Sequence, residues 1–155
     1  MGRQFFGALR PRVTPSDRAE AYEWLSVDER TLFETMMLRD QQHGIIVLSR
    51  VRRATESDDA ALFAAALLHD CGKGDVTLWQ RVTHVALPSS LENRFAVEDD
   101  PGWRGAFWRL RYHPDIGADA AARAGSNAET VRLIREQESA TPDARLQLLQ
   151  AADDA

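Results

Sequence analysis

The middle of the chain contains the segment AALFAAALLHDCGKG at residues 60–74. Its first nine residues are apolar on every side of a helix, which is the pattern of a helix that is buried all round. A membrane span needs about 20 apolar residues, so this segment is too short to cross a bilayer. Two glycines then end the helix. We expect a buried helix over residues 59–70 that places His69 and Asp70 at its C-terminal end.

Helix-start signals recur on both sides of this segment. Proline at a first helical position, or a small polar residue with glutamate three positions later, marks a helix N-terminus. No segment alternates with period two over the length of a strand. The predicted helices cover residues 14–25, 26–38 (capping box Ser26 and Glu29), 40–55 (cap Asp40), 59–70, 76–86, 89–95, 101–112 and 114–124, followed by one capped by Ser126 with Glu129 and one opened by Thr141-Pro142. The sequence therefore predicts an all-α fold, a compact multi-helix bundle.

Length and composition limit the function classes. The chain has 155 residues, the size of one domain. We expect a single domain over 1–155, in which residues 1–39 form N-terminal helices that pack on the core. The balance of 19 basic and 24 acidic residues disfavours a nucleic-acid polymer as partner. Cys71 is the only cysteine and no secretory signal precedes it, which predicts a cytoplasmic protein without a membrane partner.

The pair His69-Asp70 predicts a metal site. An ionised carboxylate at a helix C-terminus faces the negative end of the helix dipole and a dry interior, so it needs a cation. Histidine and aspartate together suit a divalent ion such as Mn, Fe, Co, Ni or Zn, with Mg as a further candidate. His43 lies on an earlier amphipathic helix, and Asp153 lies on the last apolar helix. Three helices can bring these side chains together.

With these residues the chain resembles the HD superfamily of metal-dependent phosphohydrolases. That family has the pattern H...HD...D, with the ligands on separate helices of an all-α fold. The resemblance extends from about residue 40 to the end and implies that His43, His69, Asp70 and Asp153 hold the metal. The run HDCGK at residues 69–73 looks like the HDxGK form of the motif.

A second motif, HPDIGA at residues 113–118, resembles a segment of the HDIG and HD-GYP branches. There the histidine, here His113, serves a second metal or the phosphate. Gln137 and Glu138 stand where those branches carry a His-His pair. Two ligands of the second site are thus missing, which favours one metal ion over a full dinuclear centre.

The resemblance implies a phosphohydrolase that cleaves a phosphoester of a small phosphorylated molecule, with nucleotides among the candidates, by a metal-activated water. Asp70 and Lys73, the only lysine, are the expected catalytic residues. Lys73 is also expected to bind the phosphate, as are the arginines Arg81, Arg109 and Arg111.

Three other functions stay open. The first is a catalytically weak HD domain that binds metal or a phosphorylated ligand in a regulatory role, suggested by Gln137 and Glu138. A diiron oxygenase would need the fuller ligand set of a dinuclear centre. A metal-free helical interaction module would leave His43 as a core histidine and Asp153 as a residue of a frayed tail. Whether the chain forms a homodimer is also open.

Overall fold

A computed structural model describes residues 11–75, 97–98 and 100–155 of the chain. Within these ranges it contains only helices and no strand, which confirms the predicted all-α fold. The helices are α1 (Pro15–Glu23), α2 (Val27–Thr35), α3 (Leu38–Ala54), α4 (Ala60–Leu68), α5 (Trp103–Arg123), α6 (Ala128–Arg135) and α7 (Ala144–Asp154). The helices predicted over 76–86 and 89–95, and Arg81 with them, lie outside the described residues.

Helix α4 is the centre of the fold. Every residue from Leu62 to Leu68 is buried, and the helix packs against α3, α6 and α7. Each fully buried Leu or Phe contributes about 1.5 to 3 kcal/mol to stability. Gly44 of α3 lets the two helices approach closely, because a Cβ at this position would lie 2.7 Å from the carbonyl oxygen of Leu67. This contact places the adjacent His43 beside the C-terminal end of α4.

The first two helices begin at capping boxes. Thr14 and Asp17 form the box of α1, and Ser26 and Glu29 form the box of α2 as the sequence predicts. The apolar residues Ala21, Leu25 and Phe33 of this region belong to the same hydrophobic core as α4. None of the helices in the described ranges combines the length and apolarity needed to cross a membrane.

The predicted break between helices 101–112 and 114–124 is wrong, since α5 continues through Pro114. Proline has no N–H, so it leaves the carbonyl of Leu110 without its usual helical donor. The Nδ1 of His113 donates to that oxygen instead, at 2.8 Å. The side chain next to the proline thus replaces the missing hydrogen bond, and in doing so fixes the orientation of its own imidazole.

Three predicted helix starts are also wrong. Asp40 lies inside α3, which begins at Leu38 without a side-chain cap. Asn127 caps α6 by accepting from the N–H of Glu129 at 2.7 Å, because the hydroxyl of Ser126 donates to Glu29 at 2.7 Å. The last helix begins after Asp143, whose carboxylate accepts from the backbone of Leu146, two residues later than Thr141-Pro142 predicts.

Candidate metal centre

Three helices converge at the C-terminal end of α4. His43 comes from α3, His69 follows the last residue of α4, and Asp153 lies near the end of α7; their ligand atoms all lie within 4.8 Å of one another. The Nε2 of His69 is 3.4 Å from Asp153 Oδ1. Around a divalent ion whose ligands lie at about 2.1 Å, neighbouring ligand atoms are about 3.0 to 3.4 Å apart. The spacing of His69 and Asp153 fits that geometry.

The contact between His43 and Asp153 is tighter. The Nε2 of His43 donates to Asp153 Oδ1 at 2.6 Å. These residues are 110 positions apart in the chain, so the contact depends on the packing of α3 against α7. A cation bound here would take the place of the proton that the two groups share.

Asp70 lies at the edge of this cluster. Its Oδ1 is 3.4 Å from His69 Nε2, 2.6 Å from Lys73 Nζ and 3.9 Å from His113 Nε2. The carboxylate therefore stands between the imidazole of His69 and the ammonium of Lys73. The structure places Asp70 beside His69 and turned toward Lys73, whereas the ligand atoms that lie together are those of His43, His69 and Asp153.

One buried atom of the cluster, Nε2 of His69, has no hydrogen-bond partner among the described residues. Buried polar atoms are almost always partnered in folded proteins. The Nδ1 of His69 donates to the carbonyl of Ala66 at 2.9 Å. Because a carbonyl can only accept, a neutral His69 carries its proton on Nδ1 and presents a lone pair at Nε2. This donor set is suited to a divalent ion.

His113 has the same arrangement. Its Nδ1 is held by Leu110, so Nε2 faces Asp70 at 3.9 Å and Glu138 Oε1 at 3.8 Å. Both distances exceed the range of a hydrogen bond. Burial, reinforced by the ammonium of Lys73, lowers the pKa of His113 below its usual value. The imidazole is therefore neutral at pH 7, with its lone pair directed toward the carboxylates.

The electrostatics of the cluster favour an added positive charge. Burial acts to raise the pKa of Asp70, but His69 and Lys73 outweigh it and hold that pKa at about 2. The hydrogen bond from His43, with the imidazole of His69 nearby, holds the pKa of Asp153 well below its usual value. Burial acts to lower the pKa of His69, yet Asp70 and Asp153 outweigh it and raise that pKa. Both carboxylates thus stay ionised and attract a cation.

The cluster opens into a cavity of about 310 Å³. It is lined by His69, Lys73, His113, Gln137, Glu138, Leu149, Gln150, Asp153 and Asp154. Lys73 supplies an ammonium to this wall, and no arginine of the described residues lines it. The cavity can therefore admit a phosphate group between the candidate ligands and Lys73.

Gln137 and Glu138 adopt different roles in the wall. The Nε2 of Gln137 donates to the backbone carbonyls of His69 at 2.9 Å and Ile134 at 3.0 Å. Gln137 is thus a brace for the segment that carries His69. The side chain of Glu138 is 68% exposed and reaches toward His113. Neither position supplies the imidazole that a second metal of the HDIG type would need.

Two of the predicted arginine contacts, Arg109 and Arg111, lie apart from this cavity. Arg111 lines a neighbouring cavity. The stem of Arg109 packs beside Gly74, where a Cβ would lie 3.4 Å from Arg109 Cδ.

Cys71 donates to the carbonyl of Gly117 at 3.5 Å, and burial, reinforced by Asp70, raises its pKa to about 12. Its thiol is therefore a packing group.

One supporting residue was missed from the sequence. Arg50 of α3 donates through Nη1 to the carbonyl of Ala152 at 2.8 Å. The carbonyls at a helix C-terminus lack intrahelical donors, and a cation is favourable there. Arg50 follows His43 by seven residues, so both lie on one face of α3. That spacing is the signal that could have found it.

No model of a known protein family, no curated protein and no solved structure matches this chain. The function of the chain is therefore inferred from the geometry and chemistry of the site itself.

Proposed function

We propose that this chain is a metal-dependent phosphohydrolase of the HD type that cleaves the phosphoester of a small phosphorylated molecule. The observation that supports this proposal is the meeting of His43, His69 and Asp153 from three helices, with their ligand atoms within 4.8 Å of one another. The unpartnered Nε2 of His69 supports it further. A divalent ion held by these residues would acidify a water molecule and neutralise a phosphoryl oxygen.

Lys73 is the proposed phosphate contact. Its ammonium lines the cavity and is held by Asp70 at 2.6 Å. Phosphoryl transfer depends mainly on positioning and on stabilising the negative charge of the phosphoryl oxygens. The positive charge of the Lys73 ammonium can provide this stabilisation. Asp70 fixes the ammonium and also faces His69.

His113 is proposed to orient the attacking water. Its Nε2 carries a lone pair directed into the same cavity. That nitrogen can accept a proton from the water as the water oxygen bonds to phosphorus and the bond from phosphorus to the leaving oxygen breaks. The role of His113 as a ligand of a second metal stays a prediction.

A second candidate is a regulatory domain that binds metal or a phosphorylated ligand with little turnover. The observation that favours it is Gln137, whose amide is engaged by the carbonyls of His69 and Ile134. A site with one ion provides less charge stabilisation than a site with two. Binding of a phosphorylated ligand without phosphate release would support this candidate.

Phosphate release tests the proposal directly. Purified protein loaded with Mn, Co or Ni is assayed with a panel of nucleotides and sugar phosphates, beside the variants Asp70→Ala and Asp75→Ala. We expect phosphate release by the wild type and by Asp75→Ala, since Asp75 is exposed. Asp70→Ala should lose activity by roughly a thousandfold or more, the scale of removing a central electrostatic group. Equal activity of wild type and Asp70→Ala would contradict the proposal.

A further inference from the structure

The distance between His69 and Asp153 is not set by a hydrogen bond between the two side chains. Nε2 of His69 lies 3.4 Å from Asp153 Oδ1, which is longer than a normal hydrogen bond between an imidazole and a carboxylate. By contrast, Nε2 of His43 is bonded to the same oxygen at 2.6 Å. Contacts elsewhere in the fold must therefore fix the separation of His69 and Asp153.

The amide of Gln150 ties α7 to the segment that follows α6. Gln150 precedes Asp153 by three residues, so both side chains lie on the same face of the helix. The Nε2 of Gln150 donates to the backbone carbonyl of Gln137 at 2.9 Å and to that of Ser139 at 3.0 Å. The turn of α7 that carries Asp153 is thus fixed relative to residues 137–139.

The amide of Gln137 continues this connection to the end of α4. Its Nε2 donates to the carbonyl of His69 at 2.9 Å and to that of Ile134, in the last turn of α6, at 3.0 Å. Carbonyls at a helix C-terminus lack donors from their own helix, and Gln137 supplies one to His69. Because Gln137 is buried, loss of its amide would leave these carbonyls without a partner, which is costly.

Gln137 and Gln150 therefore form one continuous connection of four hydrogen bonds between α7 and the end of α4. We call this pair the glutamine bridge. Each bond joins a side-chain amide to a backbone carbonyl, so the bridge fixes the main chain and leaves the His69 imidazole and the Asp153 carboxylate free to bind an ion. An amide N–H group only donates hydrogen bonds, so the nitrogens of the bridge are not metal ligands.

We propose that the glutamine bridge sets the separation of His69 and Asp153 before a metal ion binds. A site whose ligands are already placed loses less conformational freedom on binding, so the bridge raises the affinity for the ion. Gln137, which lacks the imidazole of a second-site ligand, thereby serves the first ion. The inference rests on the metal centre of the proposed function and adds Gln137 and Gln150 to it as positioning residues.

A double-mutant cycle tests whether the two glutamines act as one unit. The affinity for Mn²⁺ is measured by isothermal titration calorimetry in the wild type, Gln137→Met, Gln150→Met and the double variant. Gln147→Met is the matched control, because Gln147 is exposed on the same helix and its amide donates to the carbonyl of Pro142, at the opposite end of α7 from Asp153.

Each single variant of the bridge should lower the affinity about tenfold, at the lower end of the range for supporting groups. The double variant should also lose about tenfold rather than a hundredfold, because the two residues share one connection and their effects are not additive. Gln147→Met should bind Mn²⁺ as the wild type does. If circular dichroism shows that Gln137→Met does not fold, the comparison of Gln150→Met with Gln147→Met decides the test.

The visible spectrum of bound Co²⁺ separates positioning from a purely structural role. A residue that only stabilises the fold leaves the geometry around the bound ion unchanged once the site is saturated. We therefore expect the absorption bands of Co²⁺ at saturation to shift in Gln137→Met and Gln150→Met, and to stay unchanged in Gln147→Met.

Coupled losses of affinity with shifted Co²⁺ bands support the bridge even if no phosphoester is hydrolysed, in which case the hydrolase proposal alone fails. Four results overturn the inference and leave the hydrolase proposal standing: unchanged affinity in Gln150→Met, an equal loss in Gln147→Met, a loss of about a hundredfold in the double variant, or unchanged Co²⁺ bands in the bridge variants. Absence of Mn²⁺ binding in the wild type would overturn both.

Discussion

The two ends of helix α4 carry opposite kinds of charge arrangement. At the N-terminal end, Asp59 accepts from the backbone N–H of Leu62 at 3.1 Å, and its other oxygen binds Arg145 at 2.7 Å. Arg145 continues to Glu129 at 3.0 Å, and Glu129 binds Arg132 at 2.6 Å. Each of these charges has a partner of opposite sign supplied by the chain.

At the C-terminal end the chain brings similar groups together, but it does not supply a partner for every one of them. Asp70 and His69 are both buried. Asp70 is paired with Lys73 at 2.6 Å, but Nε2 of His69 has no hydrogen-bond partner in the described part of the chain. Asp153 adds a second carboxylate at 3.4 Å from His69. Charged groups at the N-terminal end are thus paired within the fold, whereas those at the C-terminal end are the ones for which we propose a cation from outside.

The largest expected effect follows from changing one residue at each end. His69→Gln removes the lone pair at the centre of the cluster, and we expect metal affinity to fall more than about a hundredfold, since loss of an outer partner alone costs about 10- to 100-fold. Asp59→Asn keeps an N-cap and should leave metal affinity unchanged. Isothermal titration with Mn²⁺ measures both. Comparable losses in the two variants would remove the distinction between the two ends.

Metal should stabilise the protein through the C-terminal end alone. At a free Mn²⁺ concentration of about 100 times Kd, binding adds about 2.7 kcal/mol, which raises Tm by roughly 5 to 10 °C for a chain of this size. Differential scanning calorimetry with Mn²⁺ or with a chelator measures the shift. His43→Ala should abolish it, and an undiminished shift in that variant would place the ion elsewhere.

A tenfold effect is expected from Arg50, which holds the end of α7 by its bond to the Ala152 carbonyl. Arg50→Met removes that bond and lets Asp153 move, so metal affinity should fall about tenfold, at the lower end of the range for supporting groups. Arg53→Met is the matched control, because Arg53 is exposed on the same helix. Hydrogen exchange of α7 should rise in Arg50→Met alone. Equal affinities of the two variants would show that Arg50 has no positioning role.

The smallest expected effect is at the N-terminal end of α4, where Glu129 contributes to the free energy of unfolding. The hydrogen bond from Arg132, followed by that from Arg145, lowers the pKa of Glu129 from 4.5 to about 2. Its stabilising contribution is therefore complete above about pH 4.5 and is lost as the pH falls toward 2. Glu129→Gln should cost about 1 kcal/mol at pH 7, given the partial exposure of the pairs.

Urea unfolding of the wild type and of Glu129→Gln at pH 7 and near pH 2 measures this contribution. The two free energies of unfolding should converge at the acid end, while metal affinity at pH 7 should be the same in both proteins. A difference that persists unchanged near pH 2 would contradict the assignment of Glu129 to this network.

Much of the fold could be predicted from local sequence. The apolar run of α4 requires burial whatever its neighbours are, and the Ser26 box depends on residues three positions apart. The predicted break at Pro114 and the cap at Ser126 failed for a shared reason. A tertiary or side-chain partner, the His113 imidazole in one case and Glu29 in the other, replaced the local interaction.

The site could be predicted in its residue types but not in its contacts. His43, His69 and Asp153 were selected by motif, and the structure brings them together. Their distances depend on how closely α3 approaches α4, which Gly44 allows. The contact of Asp70 with Lys73 is local, three positions apart, but that of Arg50 with the end of α7 depends on packing between distant segments, which spacing in one sequence does not encode.

The most direct test of the account is the binding of Mn²⁺ to purified protein, measured as stoichiometry and affinity by calorimetry and by elemental analysis. Asp153→Ala and Asp154→Ala are compared, because side chains at adjacent helix positions point about 100° apart. We expect one bound Mn²⁺ ion per chain in the wild type and in Asp154→Ala, and a loss of binding in Asp153→Ala. No bound ion in the wild type, or equal affinity in Asp153→Ala, would contradict it.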